Sequence, residues 1–369
     1  MENGIWYLFN KFLNGAKSMK RKNGKIELLR FLFALAIMAF HYPTFFKITE
    51  TAQIGVEFFY IIMGVFLAQK IATKEKQEED IATSTMKYII SKAKSFYVYF
   101  IPAFVIKTII MAVSEDMGIL SVLDRLVISI PQLLFLNSLG FHTDTYAGAI
   151  YVPASWFLSS ALIGLAIVYP LAKQNWKLFV GLIAPLVICF SAGYLYMNFG
   201  TILVHYNFVN GINVALLRTI MDLAIGCICY EAAQRIKEKI AKNKIAAGLE
   251  VVLYAIVFAS IFATTPATVE IPILICMAVA VTLTICKMEE PSFFDRTVFY
   301  FLGKVSVPLY LLHCLVMQAM LLVFDDIRNW SMFAVFAVIS VVGAMLAVVI
   351  SSLVRKSYNT IKRKRFQGL

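Results

Sequence analysis

Charge is in short supply in this chain. Only 15% of its 369 residues are Asp, Glu, Lys or Arg, against about 25% in an ordinary soluble domain. With 60% of residues hydrophobic and a mean hydropathy of +0.77, a soluble globular fold is excluded. Acidic residues are the scarcer sign, 22 against 34 basic, for a net charge of +12. That excess is split into clusters between apolar runs, so it reads as membrane topology and no nucleic-acid partner is expected. Cysteine is limited to six residues, Cys189, Cys227, Cys229, Cys276, Cys286 and Cys314, all inside apolar runs. They form no disulfide framework and no metal-like spacing with histidine, so they read as small apolar filler and no metal is expected. There is no repeat of 20–50 residues, no inverted repeat of the transporter kind, and no room for a separate soluble domain. The start lacks the unbroken apolar core of a cleavable signal, because GIWYLFNKFL (residues 4 to 13) is interrupted by Asn10 and Lys11. Its aromatics suit an interfacial helix, with a disordered tail as the alternative.

What the chain does have is long apolar segments of the length that crosses ~30 Å of hydrocarbon. Ten are expected, at about 26–46, 54–71, 95–113, 154–171, 178–197, 212–232, 245–264, 271–287, 298–323 and 331–354. Basic residues collect at the N-terminus, after the even-numbered spans and in the C-terminal tail, while the opposite side carries only Lys47, Arg125 and Arg328. By the positive-inside rule both termini are then cytoplasmic. DRLVISIPQLLFLNSLG, residues 124 to 140, is apolar but short and broken by Pro131. Counting it as a span would turn the later basic loops outward, so it reads as an outer interfacial or re-entrant helix. The fold class expected is therefore an all-α polytopic membrane protein of about ten transmembrane helices. Residues 1–25 form a cytoplasmic or interfacial segment, 26–354 the membrane domain and 355–369 a basic cytoplasmic tail.

Polar groups inside such spans are functional candidates, because each costs at least ~2.5 kcal/mol to insert. RFLFALAIMAFH, residues 30 to 41, places Arg30 and His41 eleven residues apart. That is roughly three helical turns, which puts both on one face, ~16 Å apart along the axis. The second span opens GVEFFYIIMG, and its Glu57 lies at a depth similar to His41 across a short hairpin. A carboxylate there would orient the imidazole as a general base. YVPASWFLSS, residues 151 to 160, brings Trp156, which also fits an interfacial anchor. Arg218 and Asp222 are four apart and can pair on one helix face. GKVSVPLYLLHC, residues 303 to 314, lines up Ser306, Tyr310 and His313 beside the kink expected at Pro308.

Four of these stretches together resemble the membrane acyltransferase 3 family: Arg with ten residues to His in the first span, the GV-acid-x-F-F segment, the W-F-L entry, and the late S-x-x-x-Y-L-x-H helix. The resemblance covers about residues 24 to 350. Met63 stands where the family often has serine before Gly64. The start of the third span, KAKSFYVYFIP, offers Lys92 and Lys94 where many members carry two arginines. The resemblance implies a stand-alone O-acetyltransferase of a cell membrane, bacterial by type, that modifies surface polysaccharide. It has no permanently bound cofactor. Acetyl-CoA or another acyl-CoA is the donor substrate, and a glycan or lipid-linked saccharide is the acceptor. In that scheme Arg30, Lys92 and Lys94 hold the donor's phosphates. His41 acts as base or acyl carrier and Glu57 orients it. Trp156, Arg218, Asp222, Ser306, Tyr310 and His313 are candidate oxyanion or acceptor contacts. The alternatives are a transporter or flippase for a lipid-linked saccharide, and a scaffold within a polysaccharide-synthesis complex.

Overall fold

The computed structural model describes residues 23–43, 50–73, 80–139, 149–205, 207–209, 212–263 and 266–367, with side chains through residue 358. The N-terminal segment with its expected interfacial helix at 4–13 lies outside the described residues. Ten long helices carry the fold. We label them α1 (Gly24–Phe40), α2 (Ile54–Thr73), α3 (Ile81–Ser114), and, after a short α4 (Ile119–Ile128), α5 (Ser155–Gln174). There follow α6 (Trp176–Phe199), α7 (Ala215–Ile240), α8 (Lys244–Ile261), α9 (Glu270–Cys286), α10 (Thr297–Leu321) and α11 (Trp330–Gln367). The chain is an all-α polytopic membrane protein. Eight of its helices are long and apolar enough to cross a bilayer. Of the other two, α1 has 17 residues and α7 carries Arg218 and Asp222 in its apolar half.

Local chemistry sets the ends. The Asn23 side chain accepts the N–H groups of Lys25 and Ile26 at 2.9 and 3.3 Å and so starts α1. Asp80 accepts from the Thr83 N–H at 3.0 Å and starts α3, and that bond holds its carboxyl below the usual carboxylate range. Gly200, at φ +71°, closes α6 in a left-handed conformation. A two-residue antiparallel pairing, Phe208–Val209 with Ile212–Asn213, links α6 to α7.

Helix α7 is the hub and packs against α2, α5, α6 and α9, while α10 packs against α1, α3 and α11. The closest approach is between α2 and α7. A Cβ on Gly64 would strike the Leu223 carbonyl, and one on Gly226 would strike that of Ile61. Two small residues thus bring the backbones together where lipid offers no hydrophobic drive. Helices α3, α6 and α11 turn Val98, Val105, Ile109, Leu182, Leu186, Phe190, Val342 and Leu346 outward, as a lipid-facing surface requires.

The segment at 124–140 has two halves. In α4, Ile119, Leu120, Leu123 and Val127 are exposed, which suits a helix lying along an interface. The chain then turns inward. Gln132, Asn137 and Ser138 are buried, and the Ser138 N–H donates to Ser159 Oγ of α5 at 3.0 Å. The Ser159 hydroxyl donates in turn to the Phe135 carbonyl at 2.7 Å. Irregular backbone at this depth needs such partners.

Candidate functional site

Helices α1 and α10 lie side by side, and what meets between them is the centre of the site. At one end the Glu27 carboxylate fills the space a side chain at Gly303 would take. Arg30 Nη1 donates to Glu27 Oε2 at 2.8 Å, so the guanidinium sits on the α10 side of α1. At the other end His41 Nδ1 and His313 Nε2 are 3.2 Å apart, with ring centroids 4.8 Å apart. The expected stripe of a cation and an imidazole therefore faces the neighbouring helix within the bundle.

The protons of this pair follow from its backbone contacts. His41 Nδ1 lies 2.8 Å from the Ile37 carbonyl, and His313 Nδ1 lies 3.1 Å from that of Leu309. A carbonyl oxygen only accepts, so both Nδ1 atoms carry hydrogen. His313 Nε2 is then a lone pair, facing His41 Nδ1 and the thiol of Cys314, whose Sγ is also 3.2 Å away. His41 Nε2 is likewise a lone pair, held in direction by the contacts at its other nitrogen. Fixing one ring nitrogen to orient the other is how a histidine base is prepared.

Glu57 does not orient His41. Its carboxylate is gripped by Arg218 through Nε to Oε1 and Nη2 to Oε2, the latter at 2.7 Å. Both side chains have no exposed surface. A two-pronged guanidinium–carboxylate contact outcompetes an imidazole for a buried carboxylate, because it satisfies both oxygens at once. Arg218 does not pair with Asp222 either, and neither Asp222 carboxylate oxygen has a hydrogen-bond partner among the described residues. Arg218 also donates through Nη1 to the Leu203 carbonyl at 2.6 Å and through Nη2 to the Gln53 carbonyl at 3.2 Å. Through Glu57 and these two carbonyls, Arg218 ties together the turns before α2 and α7.

Trp156 is buried rather than anchored at an interface. Its ring stacks on His205 with centroids 4.5 Å apart, and Arg218 Cζ lies 5.9 Å from its centroid. His205 escaped sequence reading because it sits in an irregular turn between spans; its one signal was the rarity of histidine, four in the chain. Cys314 escaped because a cysteine in an apolar run reads as filler. Ser306 donates to the Gly303 carbonyl of its own helix at 2.8 Å, so its hydroxyl is directed at the helix backbone, away from His313. The Tyr310 ring lies 6.0 Å from that of His313 and 5.1 Å from that of Phe157.

The basic candidates of α3 stand in a different company from that expected. Tyr88 and Tyr169 stack at 4.6 Å. Lys70 Nζ lies 4.1 Å and Lys92 Nζ 5.4 Å from the Tyr88 centroid, distances at which a cation is held by a ring face. Lys173 donates to Ser84 Oγ at 2.5 Å alongside. Lys94 is exposed. The ends of α2 and α5 and the N-terminal half of α3 thus gather Lys70, Lys173 and Lys92 around two aromatic rings.

A bundle of apolar helices that shelters a directed histidine and a buried ion pair defines a membrane protein built for chemistry inside its own interior. The family model described as an acyltransferase domain matches residues 23–352, and the chain belongs to that family. It is a membrane acyltransferase. No curated protein matches the chain, and no solved structure does.

Proposed function

We propose that this protein is an O-acetyltransferase that carries an acetyl group from cytoplasmic acetyl-CoA to a hydroxyl of a cell-surface glycan or lipid-linked saccharide. The observation that carries the reading is the His41–His313 contact, which leaves His41 Nε2 as an aimed lone pair. The orientation, with both termini cytoplasmic, is supported by the basic residues at the ends of α2, α5 and α7 and the start of α3. Lys70, Lys92 and Lys173, with Lys94 at the edge, would meet the donor's phosphates. Lysine meets phosphate there as a point charge, without the bidentate grip an arginine pair would give. Arg30 lies between that face and His41 on the path of the pantetheine arm.

At the outer end His41 Nε2 takes the proton of the acceptor hydroxyl as the oxygen attacks the thioester carbonyl. The C–S bond then breaks, the ester stays on the sugar, and the thiolate leaves with the proton that His41 held. His313 positions His41 throughout. Tyr310, whose ring lies 6.0 Å from that of His313, and Arg218 are the candidates for donors to the developing oxyanion. Trp156 and His205 offer a flat aromatic pair against which a sugar ring can lie.

The test is His41→Ala in cells and in lipid nanodiscs with acetyl-labelled acetyl-CoA. Loss of about 10²- to 10⁴-fold in glycan labelling, the usual worth of a positioned base, is the expected result. Undiminished labelling by correctly inserted protein would overturn the scheme. Label that never becomes covalently attached to glycan, even with the unaltered chain, would point to transport of a saccharide instead.

A further inference from the structure

We infer that His41, His313 and Cys314 form a binding site for a soft metal ion, of which copper(I) is the best match. Their ligand atoms all lie within 4.8 Å of one another. His41 to His313 and His313 to Cys314 are each 3.2 Å. Bonds of about 2.0 Å to nitrogen and 2.3 Å to sulfur set donor atoms roughly 3.4–3.6 Å apart in a tetrahedral shell. Two of the three separations are thus close to what an ion needs, and the third has room to contract. The His313 Nδ1 contact with the Leu309 carbonyl is the outer-shell bond that orients a metal-ligating imidazole. Sequence spacing hides the site, because one ligand caps the C-terminal end of α1 and the other two lie in α10.

Charge selects among metals. The ion displaces the thiol proton of Cys314, which leaves to solvent, and the thiolate takes its place. A monovalent ion with one thiolate and two neutral imidazoles adds no net charge to the membrane interior. A divalent ion would add one, at a cost of the kind that makes intramembrane charge rare. Thiolate and imidazole together also select copper(I) by softness. Entry is from the His41 side, the partly exposed member of the set.

Occupancy would silence His41. With Nδ1 on the metal, the proton that it gave to the Ile37 carbonyl moves to Nε2 and that contact is given up, so the lone pair that serves as base is gone. This consequence rests on the acetyltransferase reading; the binding itself does not.

The experiment uses the full chain in nanodiscs under reducing conditions, in a Cys189→Ser, Cys276→Ser background that removes the exposed and half-exposed thiols. Copper(I) is supplied from bicinchoninate, whose colour reports transfer. One ion per chain is expected, with two nitrogens and one sulfur by X-ray absorption. Cys314→Ala and His313→Ala in the same background should each weaken binding by about a hundredfold. One equivalent of copper(I) should stop acetyl transfer by the background protein but leave the rate of Cys314→Ala unchanged. Binding of equal strength in the background and Cys314→Ala proteins, or none in the background, overturns the proposal. If labelled acetyl never reaches glycan without copper, the functional reading fails while the binding result stands on its own.

Discussion

At the scale of single residues, the site rests on which partner each polar side chain chose. His313 contributes one weak contact to the aim of His41, while the Ile37 carbonyl contributes another. Removing one such hydrogen bond costs about 1 kcal/mol, so His313→Ala should lower kcat roughly five- to tenfold and leave KM for acetyl-CoA unchanged. A loss as large as that of His41→Ala, in single-turnover labelling, would mean His313 touches the reacting atoms. Glu57 belongs to the other polar centre. Glu57→Gln leaves the Arg218 guanidinium buried without a counter-charge, a change worth about 3–5 kcal/mol. A sharply lower melting temperature in detergent is expected, with lost activity following the lost fold. Sequence reading joined Glu57 to His41 because the two are hairpin neighbours. The actual partner of each comes from a distant helix, Arg218 at a separation of 161 residues and His313 at 272. Which helices lie side by side in a membrane is decided by packing of small residues, and hydropathy does not record it.

At the scale of helices, that packing is concentrated where Gly64 of α2 and Gly226 of α7 let the two backbones touch. Gly64→Val puts two methyl groups against the Leu223 carbonyl. The helices must separate, and the Glu57–Arg218 contact two turns away opens with them. The expected outcome is protein that inserts but is digested at the outer turns by added protease, whereas Gly193→Val on α6, where a Cβ meets nothing within 4 Å, should stay resistant. Each of the ten expected spans falls on a long helix, and eight of those helices are long and apolar enough to cross a bilayer; the first ends at Phe40, short of the expected 46, and residues 44–46 lie outside the described residues. Several ends were not legible, two of them by more than ten residues. Helix α3 begins at Ile81 and α11 runs to Gln367, both well past the apolar runs, because Lys-, Ser- and Thr-containing turns continue a helix without any hydropathy signal. The inward turn of residues 129–139 was half legible: Pro131 marked the break, but not the α5 serines that satisfy the backbone there.

At the scale of the whole molecule, two polar centres sit on either side of one apolar bundle. In the proposed scheme the donor end is the collection of Lys70, Lys92 and Lys173 about Tyr88 and Tyr169. Lys70→Ala with Lys92→Ala should raise KM for acetyl-CoA about tenfold, as two half-buried, solvent-screened phosphate contacts worth roughly 0.7 kcal/mol each imply. The maximum rate should hold, and the rise should shrink as salt screens the wild-type advantage. An unchanged KM at low salt would place the donor elsewhere. The family was legible from four short motifs, whereas this grouping was not: Lys70 and Lys173 read as topology markers, and only folding sets them beside stacked rings.

The reach of α3 has a further consequence. Its 34 residues extend ~51 Å, against ~30 Å of hydrocarbon. In the proposed orientation the surplus stands beyond the inner leaflet, braced against the ends of α2 and α5 through Tyr88 and Ser84, with Lys87 and Lys92 along it. In the proposed scheme a nucleotide caught there would be held before it meets the anionic lipid surface that would repel it, so the helix overhang would work as a landing stage for a soluble, negatively charged cargo bound for a neutral interior.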